Sequence, residues 1–479
     1  MPVTLAGLLK RFTALLTAKS MRDGLVGLFV LQVAWADVQL FGDFMVGLAA
    51  GVIVVKVAEC GLNYLLVLRL GDPRHPTRDQ VVAVNIVKLV LLTGALAVLW
   101  LFIGAMGYSP SLRLTVLLVA LGLGLGSLVD SLYLVLRMQG RQVSELTIKV
   151  GASAASVAVC TALVRLGGAR FASAVFVLES TLALAVFLAL GPGLRGLLHG
   201  VSARRVAGLL AAAAPYGLLS VTAILYNKSN VFFLEKLHGA PAVAEYSASW
   251  LIVDWVSVIV SAHLLAGVLF PLMSAWRHQN LGLLRDLTSR TWVWLLALAW
   301  PASLLLYALR GWLIGLFFPG AYAGAAALQV VLVWTIPAAV SANVLLYAML
   351  ASGRQWPLLG FMLATCAVNL GLNLALVPGR GALGAALAIT LSKATLATLT
   401  LAYGVLALGI VGARQVAMAG ALGAALWTAY GVTQRLLPAE AAAVLVTLLY
   451  GAGLVWIQRS SLLGVAGAPP RALNEASAA

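Results

Sequence analysis

FMVGLAAGVIVVKVAECGLNYLL, Phe44 to Leu66, carries Lys56 and Glu59 one helical turn apart inside an otherwise apolar run. A bilayer-spanning helix needs about 20 such residues. Each charge placed in hydrocarbon costs roughly 2.5–3.5 kcal/mol or more. The i, i+3 spacing lets the two neutralise each other, but a neutral pair in lipid remains costly, so the pair is expected to face a partner helix or a water-filled path. Comparable stretches recur from end to end. The chain is 62% hydrophobic and 10% charged, with a mean hydropathy of +1.02. No stretch reads as a soluble domain. The fold class is therefore all-α, a polytopic membrane protein. The N-terminus, MPVTLAGLLKRFTALLTAKSMR, reads as a short amphipathic basic segment without a small-residue cleavage site.

Hydropathy and turn residues predict about fourteen spans. The first is expected at 22–41, the second at 44–66, the seventh at 208–234, the eighth at 242–270 and the last at 441–458. The segment GPGLRGLLHGVSARRVA, Gly191 to Ala207, reads as a hinge between two six-helix halves. The expected organisation is an N-lobe over 1–200, a C-lobe over 201–410, two appended helices over 411–460 and a tail over 461–479. A short internal repeat agrees with this: Phe41-Gly42-Asp43-Phe44 opens the second span and Val243-Ala244-Glu245-Tyr246 opens the eighth. Repeats of this kind characterise transporters. With the N-terminus placed in the cytoplasm, cytoplasmic segments hold about 19 basic residues and the opposite side about 7, the positive-inside bias. Both termini would then be cytoplasmic. The net charge of +16 is explained by those loops, so nucleic acid is not an expected partner.

Enzyme signatures are missing from the sequence: it has no HExxH, Walker A, GxSxG or paired CxxC. The LGLGLG run at Gly122, Gly124 and Gly126 lies in an apolar helix, where glycines allow close helix packing. Cys60, Cys160 and Cys366 read as small core residues rather than metal ligands. No metal or cofactor is expected. Pro215, Pro301 and Pro337 fall inside spans and should kink them.

The intramembrane charges carry the functional reading. Lys56, Glu59, Asp254 and Lys393 are placed near mid-depth; Asp37, Lys88, Asp130, Lys149, Glu179, Lys228 and Glu245 lie closer to a face. Lysines near a helix end can snorkel to the interface, and this alternative stands for Lys88 and Lys149. Lys228 sits in LYNKSN beside Tyr226 and Asn227, a polar cluster that reads as cavity lining. A cavity with several lysines attracts an anion, and lysine suits phosphate as a flexible point charge. The residues thus point to a transporter of an anionic, amphiphilic substrate. Lys56, Lys228 and Lys393 are the candidate binding cations. Glu59, Asp254, Asp37 and Asp130 are candidates for coupling or charge pairing.

Further motifs add a resemblance. PYGLLSVTAILYNKSNVFFLEKLHGAPAVAEYSASW (Pro215 to Trp250), LIGLFFPGAYAGAAALQVVLVWTIPA (Leu313 to Ala338) and NLGLNLALVPGRGALGAALAITLSKA (Asn369 to Ala394) resemble helices seven to twelve of Wzx-type polysaccharide flippases. These belong to the multidrug/oligosaccharidyl-lipid/polysaccharide exporter superfamily. FGDFMVGLAA and ECGLN resemble the first loop and second helix of that family. The resemblance covers most of residues 20–410. It implies two pseudo-symmetric lobes around a cationic cavity and translocation of undecaprenyl-diphosphate-linked glycans across the bacterial inner membrane. A polymerase and chain-length machinery would be its partners alongside membrane lipids. Asn369 and Asn373, from the asparagine-x3-asparagine motif, would line or brace the cavity or bond neighbouring helices. One departure stands out: Asn230 occupies a position where many relatives carry an acid. A lipid II flippase is the alternative reading. A multidrug or cation antiporter is disfavoured by the lysines.

Overall fold

The computed structural model describes residues 5–63, 77–138, 141–166, 169–190, 203–257 and 281–465, with Leu265 and Met273 as isolated positions. The described residues are almost entirely helical and form fourteen main helical segments; nine continuous helices among them, or ten if one bent pair is a single span, are long and apolar enough to cross a membrane, and two of the nine are broken by a glycine. In the first half of the chain, called the N-lobe below as the second half is called the C-lobe, the main segments are α1 (Leu5–Ala36), α2 (Val38–Glu59), α3 (Thr77–Met106), α4 (Pro110–Met138), α5 (Gln142–Arg165) and α6 (Val175–Leu190). The continuous helix Ala203–Ser257 is broken at Gly239, φ 77°, into α7 (203–238) and α8 (240–257). Leu281–Ala308 is α9. The pair Ala325–Leu332 and Thr335–Ala351, bent by 41°, forms α10. The helix Gln355–Leu406 is broken at Gly381, φ 52°, into α11 (355–380) and α12 (382–406). Ala413–Thr433 (α13) and Ala439–Val465 (α14) complete the set.

Two boundaries differ from the sequence reading. The first helix begins at Leu5, so the basic segment expected to precede it is continuous with it. The break between α1 and α2 falls at Asp37, not in the low forties. Asp37 has extended backbone, and its carboxylate accepts the Leu40 amide at 2.7 Å, an N-cap. This shifts α2 toward its start, and Lys56 lies in its last turn. A cation is favoured there by the helix dipole. The hinge expected at 191–207 and the end of the eighth span expected at 242–270 fall partly outside the described residues.

The lobes meet along α2, which packs against α7 and the start of α8. Below, "near end" means the end of the bundle where α1 begins, and "far end" the opposite one. At the far end a Cβ on Gly42 would overlap the carbonyl of Ala240. At the near end a Cβ on Gly61 would lie 2.7 Å from the Ala213 carbonyl oxygen, and one on Gly217 would lie 2.7 Å from Cys60. Glycine is required at these close approaches, and Gly61 also takes φ +72°. The far end is further tied by side chains. The Tyr322 hydroxyl donates to the Ala34 carbonyl at 2.9 Å, and the Trp35 indole donates to the Phe317 carbonyl at 2.7 Å. The Phe41 ring packs against Phe318 and Tyr322 with centroids 6.0 and 5.7 Å away. Within the N-lobe, Gly122 abuts the α6 backbone at Phe176 and Val177, and Gly124 abuts Leu92 of α3. The LGLGLG run therefore serves helix packing.

Candidate functional site

The C-lobe cavity is built by two helical hairpins, each turned by a glycine with positive φ. His238, beside Gly239, bonds the Val377 carbonyl at 2.8 Å and lays its ring about 3.7 Å from where a Gly381 Cβ would sit. The two turns are thus stacked. Lys228 lies about eleven residues before one turn and Lys393 about twelve after the other, so at 1.5 Å per residue both sit roughly 17 Å below the far end. They converge on one cavity of about 240 Å³. Tyr226, Asn227 and Lys228 from α7, Trp250 and Asp254 from α8, and Lys393 from α12 line it. Ala339, Ala342 and Asn343 of α10 form a further wall, and Ile224, Ser257 and Leu396 complete the lining.

Lys393 is only 8% exposed, and its ammonium lies 4.7 Å above the Trp250 ring. This cation–π contact is worth about 1–2 kcal/mol when desolvated. Trp250 is in turn stacked on Tyr246, with centroids 6.2 Å apart and planes within 7°. The tryptophan therefore holds Lys393 at the cavity wall. Trp250 escaped the sequence reading, although its i, i+4 spacing from Asp254 would have put both on one helix face. Two lysines against one carboxylate leave the lining with a net positive charge.

Asn369 and Asn373 are fully buried behind this wall. Ser229 donates to Asn369 Oδ1 at 2.7 Å, Asn369 donates to Ser392 Oγ at 3.1 Å, and Asn373 donates to Asn230 Oδ1 at 3.0 Å. Asn230 donates to the Ala385 carbonyl at 2.9 Å. The ladder ties α7, α11 and α12 together next to Lys393. Asn230, where an acid was anticipated, is an element of this ladder.

The remaining candidates lie in the N-lobe. Lys56 pairs with Glu59 at 2.8 Å, and Asn63 donates to the same carboxylate at 2.8 Å. Asp130 pairs with Lys149 at 3.0 Å, and Lys149 also meets Glu145 at 3.2 Å and the face of Tyr133 at 4.7 Å. Lys149 is thus held inside rather than snorkelling. Arg22 of α1 pairs with Glu179 of α6 at 2.6 Å. Asp37 caps α2 and takes no part in these pairs. The structure brings Lys228, Lys393, Tyr226, Asn227 and Asp254 together and places Lys56 and Glu59 in a separate cluster. Among the described residues no group of His, Cys, Asp and Glu is arranged to hold a metal ion.

This architecture is that of a multi-pass helical membrane protein. The lipid II flippase MurJ in an inward closed conformation superposes with a TM-score of 0.67 at 11% identity, covering 95% of this chain and 100% of MurJ. An inward-facing multidrug resistance MATE transporter of the MOP superfamily gives a TM-score of 0.62 at 13% identity, covering 81% and 94%. A MOP superfamily transporter from Pyrococcus furiosus, described as having a binding pocket of reverse polarity, gives 0.55 at 14% identity, covering 84% and 94%. At these identities the likeness establishes the fold. No curated protein sequence matches the chain. A family model described as "Polysaccharide biosynthesis protein" matches residues 41–327, more than half of the chain, and the chain belongs to that family.

Proposed function

We propose that the protein is a Wzx-type flippase that moves an undecaprenyl-diphosphate-linked oligosaccharide across the bacterial inner membrane by alternating access of its two lobes. The C-lobe cavity carries this reading: Lys228 and Lys393 face one carboxylate, Asp254, across a space open to a phosphate group. The family assignment supports a glycan substrate. The substrate diphosphate engages Lys228 and Lys393, with Tyr226 and Asn227 offering hydrogen bonds. Lys56, which Glu59 neutralises, contributes from the opposite lobe once the substrate displaces that carboxylate. The lobes correspond to 1–200 and 201–410, with 411–460 appended and both termini cytoplasmic. A polysaccharide polymerase and its chain-length machinery receive the product.

The test is reconstitution of the full-length protein in vesicles with fluorescent undecaprenyl-diphosphate oligosaccharide in one leaflet. Wild type should expose the lipid to a quencher in the other leaflet, and Lys228→Gln with Lys393→Gln should not. Transport of lipid II in place of the oligosaccharide would overturn the substrate assignment. Normal transport by the double variant would overturn the site.

A further inference from the structure

Lys88 of α3 is fully buried, at 0% exposure, and belongs to the N-lobe rather than the cavity described above. Its ammonium makes three hydrogen bonds, all to oxygens of α4: the Ser127 carbonyl at 3.0 Å, Ser127 Oγ at 3.3 Å and Ser131 Oγ at 2.5 Å. Two more oxygens lie one hydrogen bond further out. Ser127 Oγ donates to Glu59 Oε1 at 3.4 Å, and Ser131 Oγ donates to Asn63 Oδ1 at 3.5 Å. The surroundings of this buried charge are therefore a carbonyl, two hydroxyls, an amide oxygen and a carboxylate, contributed by α2 and α4.

Neutral oxygens with one carboxylate are the donor set of a hard monovalent or divalent cation. Nothing in the set is specific to an ammonium. A lysine chain simply delivers the charge covalently, where an ion would have to bind. The ladder joins α2, the helix on which the lobes meet, to α3 and α4. Glu59 Oε2 is already held by Lys56 at 2.8 Å, but Oε1 faces this ladder through Ser127, and the Ser127 carbonyl and the two serine hydroxyls accept from Lys88; removing the lysine leaves that buried accepting capacity unfilled.

We propose that Lys88 is a tethered cation: it permanently fills an oxygen-lined cation site between α2, α3 and α4, so this lobe carries its charge without binding an ion. Without the lysine chain, the same oxygens take up sodium.

The test uses the full-length protein in detergent, with thermal unfolding followed in sodium chloride and in choline chloride of equal ionic strength. Wild type should unfold at the same temperature in both. Lys88→Ala should be destabilised in choline and regain roughly 3–5 °C in 100 mM sodium. Adding Ser131→Ala should remove that gain. Equal unfolding of Lys88→Ala in both salts would overturn the proposal. So would a sodium-specific rise in wild type, or failure of Lys88→Ala to accumulate when cells are grown in either high or low sodium. Accumulation only in high sodium would support it.

Discussion

The two lobes handle buried charge in opposite ways. Every N-lobe helix contributes a charged side chain to the interior, and each finds a partner: Arg22 with Glu179, Lys56 with Glu59, Lys149 with Asp130 and Glu145, Lys88 with the oxygens of α4. The C-lobe has fewer buried charges but lines a cavity with them. Lys393 rests on an aromatic face rather than a carboxylate, and Lys228 shares the space with it. Paired charges specify packing; a cation held on an aromatic ring keeps its field available to an incoming anion. The difference teaches that depth alone does not mark a binding residue. The way each charge is compensated separates structure from site.

The sharpest way to break this comparison is to neutralise both lobes. Lys228→Gln with Lys393→Gln should lower glycan export roughly 100-fold, from two lost charge-assisted hydrogen bonds, with the protein level in the membrane unchanged. Lys56→Gln with Glu59→Gln should cost only about 10-fold, because Lys56 reaches the substrate only after leaving Glu59 and its net contribution is smaller. Equal losses in a complementation assay of surface glycan would erase the distinction.

Arg22→Gln should act on stability instead. It strands Glu179, which is buried, and should cost about 3 kcal/mol. Restoration of the unfolding temperature by Arg22→Met with Glu179→Leu would sharpen the view that this pair serves packing.

Trp250→Leu should weaken apparent substrate affinity about 10-fold through the lost cation–π contact, with maximal rate preserved, while Trp250→Phe keeps most of the affinity. A fall in rate alone would mean that the tryptophan does not position Lys393. The smallest effect concerns the seam between lobes. Tyr322→Phe removes one hydrogen bond, about 1 kcal/mol, and should raise the far-open population about five-fold. Alkylation of a cysteine placed at Val38, in a background without native cysteines, reads this out.

Much of the architecture was legible because a bilayer forces apolar runs of fixed length. The C-lobe candidates were legible for the same reason: Lys228, Asp254 and Lys393 stand out against hydrocarbon. What the sequence does not contain is which helix faces which. Lys88 could be read as snorkelling because its partners, Ser127 and Ser131, lie on another helix and are ordinary serines by themselves. Asp37 looked like an intramembrane acid because a helix break without glycine or proline leaves no mark in hydropathy.

The meeting of Cys60 and Gly61 with Gly217 at the near end has a consequence for the seam itself. Backbone touches backbone there, with no long side chain between. Dispersion at such a seam falls by a quarter to a half of its depth over a gap of about 0.5–1 Å. Partial separation therefore forfeits most of the attraction without yet admitting a substrate. The seam favours either full contact or full parting, with little to hold it half-open.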